Sequence, residues 1–454
     1  MATGAGEQSN INIIGSDVLG QQGTTLIADN DINIKAFEQN SSEESGNKSS
    51  GWNAGVAISY GQSGFAFGVT AGGNLGKGSG NGEETSYLNS HVGSQESQTV
   101  INSGNAANII GGQVQGKGIE LTAKELNIES LQDKITYKAK QENISGQFTI
   151  GTGGGSASIS ASKSNIDANY ASVNEQSGIY AGDDGYQINV TNNTDLKGAI
   201  ITSTQKAEDA GKNTLSTGTL TASDIKNVSE YDTKGIGLSG KMSVSGESLG
   251  QKAPSRDQGV VLNNEGNKGS GKSIGFGLDS DYDNSVTKSG VNTKNITITE
   301  EQGQQALTGK TAEQMKSEIY TNITTDNAKE NSGALKNNFD KDKVQSEINL
   351  QVSVTQQFDA NRQEAKQEIN KKLDNIKKEY ADVLEKEKNK QTLTVQDQEQ
   401  LKVYYQTVDN YQKLGLVLDT VAAALSPTAS YEIGQYFKGK DAEGSAATSL
   451  HIPY

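Results

Sequence analysis

Residues 266–273 read "GNKGSGKS" and fit the phosphate-loop pattern G-x-x-x-x-G-K-[ST]. That chemistry needs a buried strand before the loop and a helix directly after it, whose first N–H groups face the phosphates. After Ser273 the chain reads "IGFGLDSDYDN", with Gly275 and Gly277 alternating against Ile274, Phe276 and Leu278. This is strand grammar, and a helix opening there would lose about 1 kcal/mol per glycine relative to alanine. The match is therefore read as an accident of a linker. "DSDYDN" (279–284) imitates the start of a calcium loop, but Asn284 and Gly290 stand where a glycine and a bidentate glutamate are required. It is expected to be a solvated acidic turn. Two histidines, His91 and His451, and no cysteine under-supply zinc sites and Ser-His-Asp catalysis alike. His91, in "LNSHVGSQ", is expected to make surface hydrogen bonds. Trp52 and Tyr60, which flank a hairpin, are expected to pack rather than to cage a ligand. No catalytic, cofactor-binding or metal-ligating residue is assigned, no cofactor is called for, and no enzyme is expected.

Composition limits the elements that could position a site. Of 454 residues only 32% are apolar, while 53 are glycine and 3 are proline. Such a chain cannot fill thick spherical cores, because burial must offset about 1–2 kcal/mol of backbone entropy per residue. A thin solenoid, each layer of which needs only a narrow apolar strip, is within its means. The net charge of −15 argues against nucleic acid, which requires clustered Lys and Arg. Lacking cysteine, the fold is indifferent to redox compartment. The sequence shows neither a basic-then-apolar leader nor a run approaching 18 apolar residues, so any export signal is expected to lie outside it.

The grammar changes near residue 290. Residues 1–290 hold 46 of the 53 glycines, and residues 291–454 carry 44 Asp, Glu, Lys and Arg among 164 positions. In the first part, apolar and polar residues alternate over short runs bounded by Gly, Asn or Asp. "GSDVLGQQGTTLIADNDINIKA" (15–36) is echoed at 111–130 and 178–199, with Gly20, Gly116 and Gly182 equivalent and Leu26, Leu121 and Ile188 at the next apolar place. Repeats of this size mean stacking. Glycine-alternating ribbons lie between them, at 55–70, 146–160, 234–246 and 272–282; the first reads as a hairpin about Gly61–Gly64 with Val56 and Val69 on one face. The predicted fold is mainly β. Residues 1–290 would form a repetitive β-solenoid, parallel and β-helix-like, roughly 70 Å long before its glycine-rich β-hairpins shorten it. Residues 291–343 are read as a linker with short elements. From Val344 the apolar spacing shifts to three and four through Ile348, Val352, Ile369 and Leu373, and an α-helical hairpin is expected over 344–426. Thr394 with Asp397 is a plausible cap for its second helix, and residues 427–454 form a tail.

Several stretches carry a family resemblance. "NEQSGIYAGDDGYQINVTNNTDLKGAIITST" (174–204) and "GKGIELTAKELNIESLQDKITYKAKQENISG" (116–146) resemble successive units of the filamentous-haemagglutinin-type repeat of two-partner-secretion exoproteins. Residues 289–314, 335–358 and 426–447 are similar to the pretoxin-side region of contact-dependent growth inhibition toxins. The resemblance implies a secreted or cell-surface stalk, exported by an outer-membrane transporter barrel, that engages the target cell's outer membrane and aids delivery of a C-terminal toxin. Family members continue past the point where this chain reaches "SLHIPY" (449–454), so a fragment without its own toxin is expected. The alternative is a haemagglutinin-like adhesin or spacer without toxin transport. Neither reading calls for nucleic acid or a small-molecule substrate.

Overall fold

The computed structural model describes residues 1–61, 64–151, 154–245 and 268–424. Its first architectural unit is a stack of parallel coils. The first coil contributes β1 (Ile11–Ile14) and the second β2 (Asp17–Val18), β3 (Thr24–Ala28) and β4 (Ile32–Lys35). The chain then leaves the stack as β5 (Phe37–Gly61) and returns as β6 (Gly64–Leu88). β7 (Ser90–Ser94), β8 (Thr99–Ser103) and β9 (Ala106–Ile110) make the third coil, and β10 (Gly112–Glu129) the fourth. A second excursion, β11 (Asp133–Gly151) and β12 (Gly154–Ser172), precedes the fifth coil, β13 (Gly178–Lys197). The sixth holds β14 (Ile200–Thr202), α1 (Gln205–Asp209), β15 (Thr214–Thr217) and β16 (Thr219–Ser223). A third excursion, β17 (Ile225–Ser245) and β18 (Lys268–Thr287), leads to the last coil, β19 (Gly290–Val291) and β20 (Ile296–Ile298).

The repeat read from the sequence appears as side-chain columns. Leu26, Ile101, Leu121, Ile188, Leu215 and Ile296 face one another in register from coil to coil. Val18, Val92, Val114, Ile179, Ile201 and Val291 form a second column, and Ile13, Ile34, Ile109, Ile128 and Leu196 a third. Together they are the core. Each coil buries only the apolar partner of an alternating pair, which is why a chain so poor in hydrophobes can fill it. Outside, the amides of Asn12, Asn33, Asn108 and Asn127 are linked successively at 2.8–2.9 Å. Seven coils at about 4.8 Å give a stack of roughly 30 Å, shorter than the rod the sequence suggested, because the hairpins take so much chain.

The hairpins are larger than the glycine ribbons indicated, and they do not stand apart. They pair in the order β18-β17-β12-β11-β6-β5 as one six-stranded antiparallel sheet. Geometry explains the continuity. Each hairpin brings two strands, and one is inserted after every second coil, so strands and coils climb at the same spacing of about 4.8 Å. Every coil level from the second to the seventh thus carries one strand of the sheet. Lys268–Ser273, part of the phosphate-loop match, is the start of β18 rather than a linker, and the strand expected after Ser273 is present. "DSDYDN" also lies within β18 and is no turn: Asp279 is buried and accepts a hydrogen bond from the Tyr231 hydroxyl at 3.1 Å.

Helices close the last level of both parts. α2 (Glu301–Thr308) sets Gln304 against β16, where its side-chain amide bonds the N–H and C=O of Leu220 at 2.7 and 2.9 Å. α3 (Ala312–Ile319) adds Met315 and Ile319 to the core. α4 (Lys341–Glu379) does the same for β18: Gln351, Thr355 and Asp359, spaced four apart on one helix face, accept from the N–H groups of Leu278, Phe276 and Ile274. The helix comes close only because of glycine. An added Cβ on Gly275 would stand 2.2 Å from the Val352 carbonyl oxygen, and one on Gly237 2.6 Å from the Val352 side chain. The long helix breaks at Tyr380 into α5 (Ala381–Lys388), and α6 (Val395–Ala424) folds back, with Asp419 bridging Arg362 and Lys366 at 2.8 Å. Thr394 and Asp397 cap α6 reciprocally as read from the sequence. Hydrogen bonds from Lys386 and Thr394 pull the Asp397 carboxyl down to about 2.

Candidate functional site

The projecting sheet has two faces whose chemistry exchanges halfway along the strands. Near the solenoid, the face beneath α4 is apolar: Tyr137, Ala139, Ile166, Ala168 and Tyr231 pack under Phe339 and Val344. Burial, with the nearby Asp279 carboxylate, pushes the Tyr231 phenol far above its usual range. Farther out, the same face carries Asn74, Ser145, Ser160, Ser239 and Ser273 in one row and Asn53, Gln147, Ser158 and Lys241 in the next. These side chains bond one another, as Ser145 to Ser160 and Ser239 to Ser273, both at 2.6 Å.

The opposite face is the complement. Its inner half is charged, with Lys163 bridging Glu142 at 2.8 Å and Lys138 bridging Asp167 at 3.4 Å. One row, Lys48–Lys77–Glu142–Lys163, runs across four strands. Its hydrogen bond from Lys163, with the fields of that lysine, Lys77 and Lys140, holds the Glu142 carboxyl below its ordinary range. Directly beyond this row the face turns apolar. Leu75, Ile144, Leu238 and Ile274 share the first row; Trp52 and Ile159 the second; Phe148 and Met242 the third; Val56, Val69 and Ile150 the fourth. All eleven are exposed, Trp52 at 85%. Trp52, Leu75, Ile144 and Ile159 ring an open depression of about 410 Å³.

Five strands and four rows, with Ile274 of β18 at one corner and Lys272 beside it, make an apolar area of roughly 19 by 20 Å, on the order of 400 Å². Scattered exposed hydrophobics need no explanation; a contiguous patch of this size equals the largest patch of an ordinary monomer, which is often a functional surface. Trp52 is therefore not the packing residue the sequence suggested. The side chain of Tyr60 lies outside the described residues, as does His451.

His91 belongs to a different place. It sits on the solenoid between two carboxylates, Nδ1 2.7 Å from Asp17 and Nε2 2.5 Å from Glu175. Burial alone would lower its pKa, but the two hydrogen bonds and both negative charges outweigh that and raise it above 6.5. Among the described residues no group of three or more His, Cys, Asp or Glu could hold a metal ion, and no helix is long and apolar enough to cross a membrane.

The greasy face of the first ribbon is plain in the sequence, whereas the exchange of faces is not. Its signal was present: the apolar alternation slips phase inside each strand, from Tyr137 and Ala139 to Ile144 and Phe148, and from Tyr231 to Ile236 and Leu238. A phase slip in a ladder without a bulge moves the hydrophobic set to the other face.

Residues 1–145 match the haemagglutinin repeat family. The chain is 42% identical over 236 residues to a tRNA nuclease CdiA of Yersinia mollaretii, covering 51% of this chain and 8% of that protein. It is 36% identical over 259 residues to a toxin CdiA of Escherichia coli, with 55% and 8% covered. Against a deoxyribonuclease CdiA of Yersinia pseudotuberculosis it is 33% identical over 310 residues, with 67% and 27% covered. The chain thus spans a small part of the length of these relatives, and their nuclease names describe those proteins. No solved structure matches. The repeat match and these relatives, together with stacked coils bearing paired hairpins, place the chain in the filamentous haemagglutinin and CdiA family of secreted, cell-surface exoproteins.

Proposed function

We propose that the chain is a non-catalytic segment of a contact-dependent inhibition exoprotein that engages the outer membrane of a target cell and aids delivery of a C-terminal toxin. The observation that carries the reading is the exposed apolar half-face behind its lysine row. Interior strands of a six-stranded sheet already have their backbone groups paired, so only the outer edge of β5 would bring unpaired amides to the headgroup–acyl boundary. Burying about 400 Å² at about 25 cal/mol per Å² is worth on the order of 10 kcal/mol before ordering costs. Lysines at the boundary add about 1 kcal/mol each against anionic lipid. The hydroxyl- and amide-bearing opposite face keeps the sheet lying on the surface rather than spanning it.

Export through a transporter barrel of the secretion pair belongs to the same reading and rests on family membership. The second reading, an adhesin or spacer, is favoured by the Ser-, Thr- and Asn-rich face, which suits hydrogen bonding to another cell's surface. Vesicle flotation of the full chain with phosphatidylethanolamine–phosphatidylglycerol liposomes separates them. Membrane engagement requires the chain to float, and the triple variant Trp52→Ser, Phe148→Ser, Ile150→Ser to bind at least tenfold more weakly. A wild-type chain that stays with the soluble fraction refutes membrane contact and leaves the adhesin.

A further inference from the structure

The six-stranded sheet has two unlike edges. At β18 the outward N–H groups of Leu278, Phe276 and Ile274 are taken by Gln351, Thr355 and Asp359 of α4, so α4 blocks strand addition along that stretch. At β5 no strand lies on the outer side among the described residues. Every residue from Phe37 to Val56 is exposed. Pairing with β6 runs from Phe37 to Gly61 without a bulge, and no proline interrupts it. Edges of this length are normally blunted by bulges, proline or a covering element. Here only Glu38, Glu43, Glu44 and Lys48 offer any guard, and Glu43 is engaged by Lys341 at 2.7 Å.

Coil arithmetic says what fits. Each level from the second to the seventh coil carries one strand, whereas β1 marks a first level with no strand beside it. A strand at that level would meet β5 as β6 meets β11 and as β12 meets β17, antiparallel and heading back to the solenoid. Returning strands are rich in glycine, serine and asparagine, as "GGSASISASKSNIDANYAS" of β12 illustrates. A second copy fits worse. Pairing β5 with β5 would drive each hairpin tip toward the other copy's first coil, which stands one level beyond the edge.

We propose that the outer edge of β5 is an acceptor site for one further antiparallel strand of the returning haemagglutinin type, supplied by a neighbouring hairpin and recognised through its backbone. Recognition of this kind draws affinity from main-chain hydrogen bonds and tolerates varied side chains. It also gives the sheet a direction, since growth is open at β5 and closed at β18. The site is separate from the apolar face and does not depend on membrane contact.

The probe is a labelled synthetic peptide of residues 154–172, titrated into the full chain and followed by anisotropy and hydrogen–deuterium exchange. Saturable binding with new protection confined to residues 37–56 is expected, and the peptide carrying Ser160→Pro and Ser164→Pro should bind at least tenfold more weakly. Two edge variants, Asn47→Pro and Lys48→Pro, are made because successive N–H groups point to opposite sides. The one that keeps the wild-type Tm should lose binding at least tenfold, and should both unfold, the exchange map of the wild-type chain decides. Absence of binding, protection at β18, or indifference to a folded edge proline overturns the proposal. So does a concentration-dependent dimer of the chain alone that the edge proline abolishes, which would make a second copy the occupant.

Discussion

The solenoid and the projecting sheet are built from the same alternating chain, yet they handle hydrophobic residues in opposite ways. In the solenoid the strands wrap until three faces enclose one core, and columns such as Leu121–Ile188–Leu215 are withdrawn from water. Among the described residues the sheet has no opposing sheet. It buries one half-face under α4 and leaves the other half-face, on the opposite side, open. Closure gives stability, and the missing lid gives a surface available for binding. The same residue types therefore have structural duties in one region and interaction duties in the other.

The largest test of this contrast is a matched pair of truncations. Ile188→Ala, between Leu121 and Leu215, should cost about 2–5 kcal/mol in urea unfolding. Ile159→Ala, on the open half-face, should stay within about 0.5 kcal/mol. Equal losses would mean that the open face is covered in solution. Next in size is the seam between the regions' helices and strands. Gly275→Val places a side chain against the Val352 carbonyl and should destabilise α4 docking by about 1–3 kcal/mol, read as faster protease cleavage within residues 341–379 while the coils remain resistant. Thr355→Val deprives the Phe276 N–H of its acceptor and should cost about 1–2 kcal/mol at the same seam, without opening the solenoid.

The smallest effect belongs to His91. Its folded pKa lies above 6.5, so the stability that it contributes is fully present below pH 6.5 and fades as the pH rises through that raised value. The Tm gap between wild type and His91→Gln should be wider at pH 6 than at pH 9, by something on the order of a degree. A gap that widens with pH would show that the imidazole is held neutral between Asp17 and Glu175.

Much of the solenoid was legible in the sequence, and much of the sheet was not. Leu26, Leu121 and Ile188 could be aligned because the units at 15–36, 111–130 and 178–199 keep their spacing, and repetition implies stacking. The coil of β7, β8 and β9 escaped because it lacks the same glycine frame, although Ile101 stands in the same column. The hairpins were visible only where glycine alternates, near their tips. Their lower halves, such as "KSNIDANY", are ordinary polar alternation, and partners in neighbouring hairpins, 49–91 residues apart in sequence, cannot be read from one strand. Trp52 is deceptive for a related reason: a large aromatic residue is assigned to a core by default, and only the register of six strands shows that no described residue covers it. The acidic run 279–284 gave no hint that Asp279 would be buried against Tyr231, a contact set by strand pairing rather than by spacing.

The shared pitch of coils and hairpin strands restricts how such a filament can lengthen. The three hairpins begin at residues 37, 133 and 225, intervals of 96 and 92 residues. A duplication of one coil alone would lift the next hairpin by a single step of about 4.8 Å and leave an unfilled rung in the lateral ladder. Keeping the ladder filled as this stack lengthens therefore requires turns to be added in even numbers, each pair bringing its own hairpin.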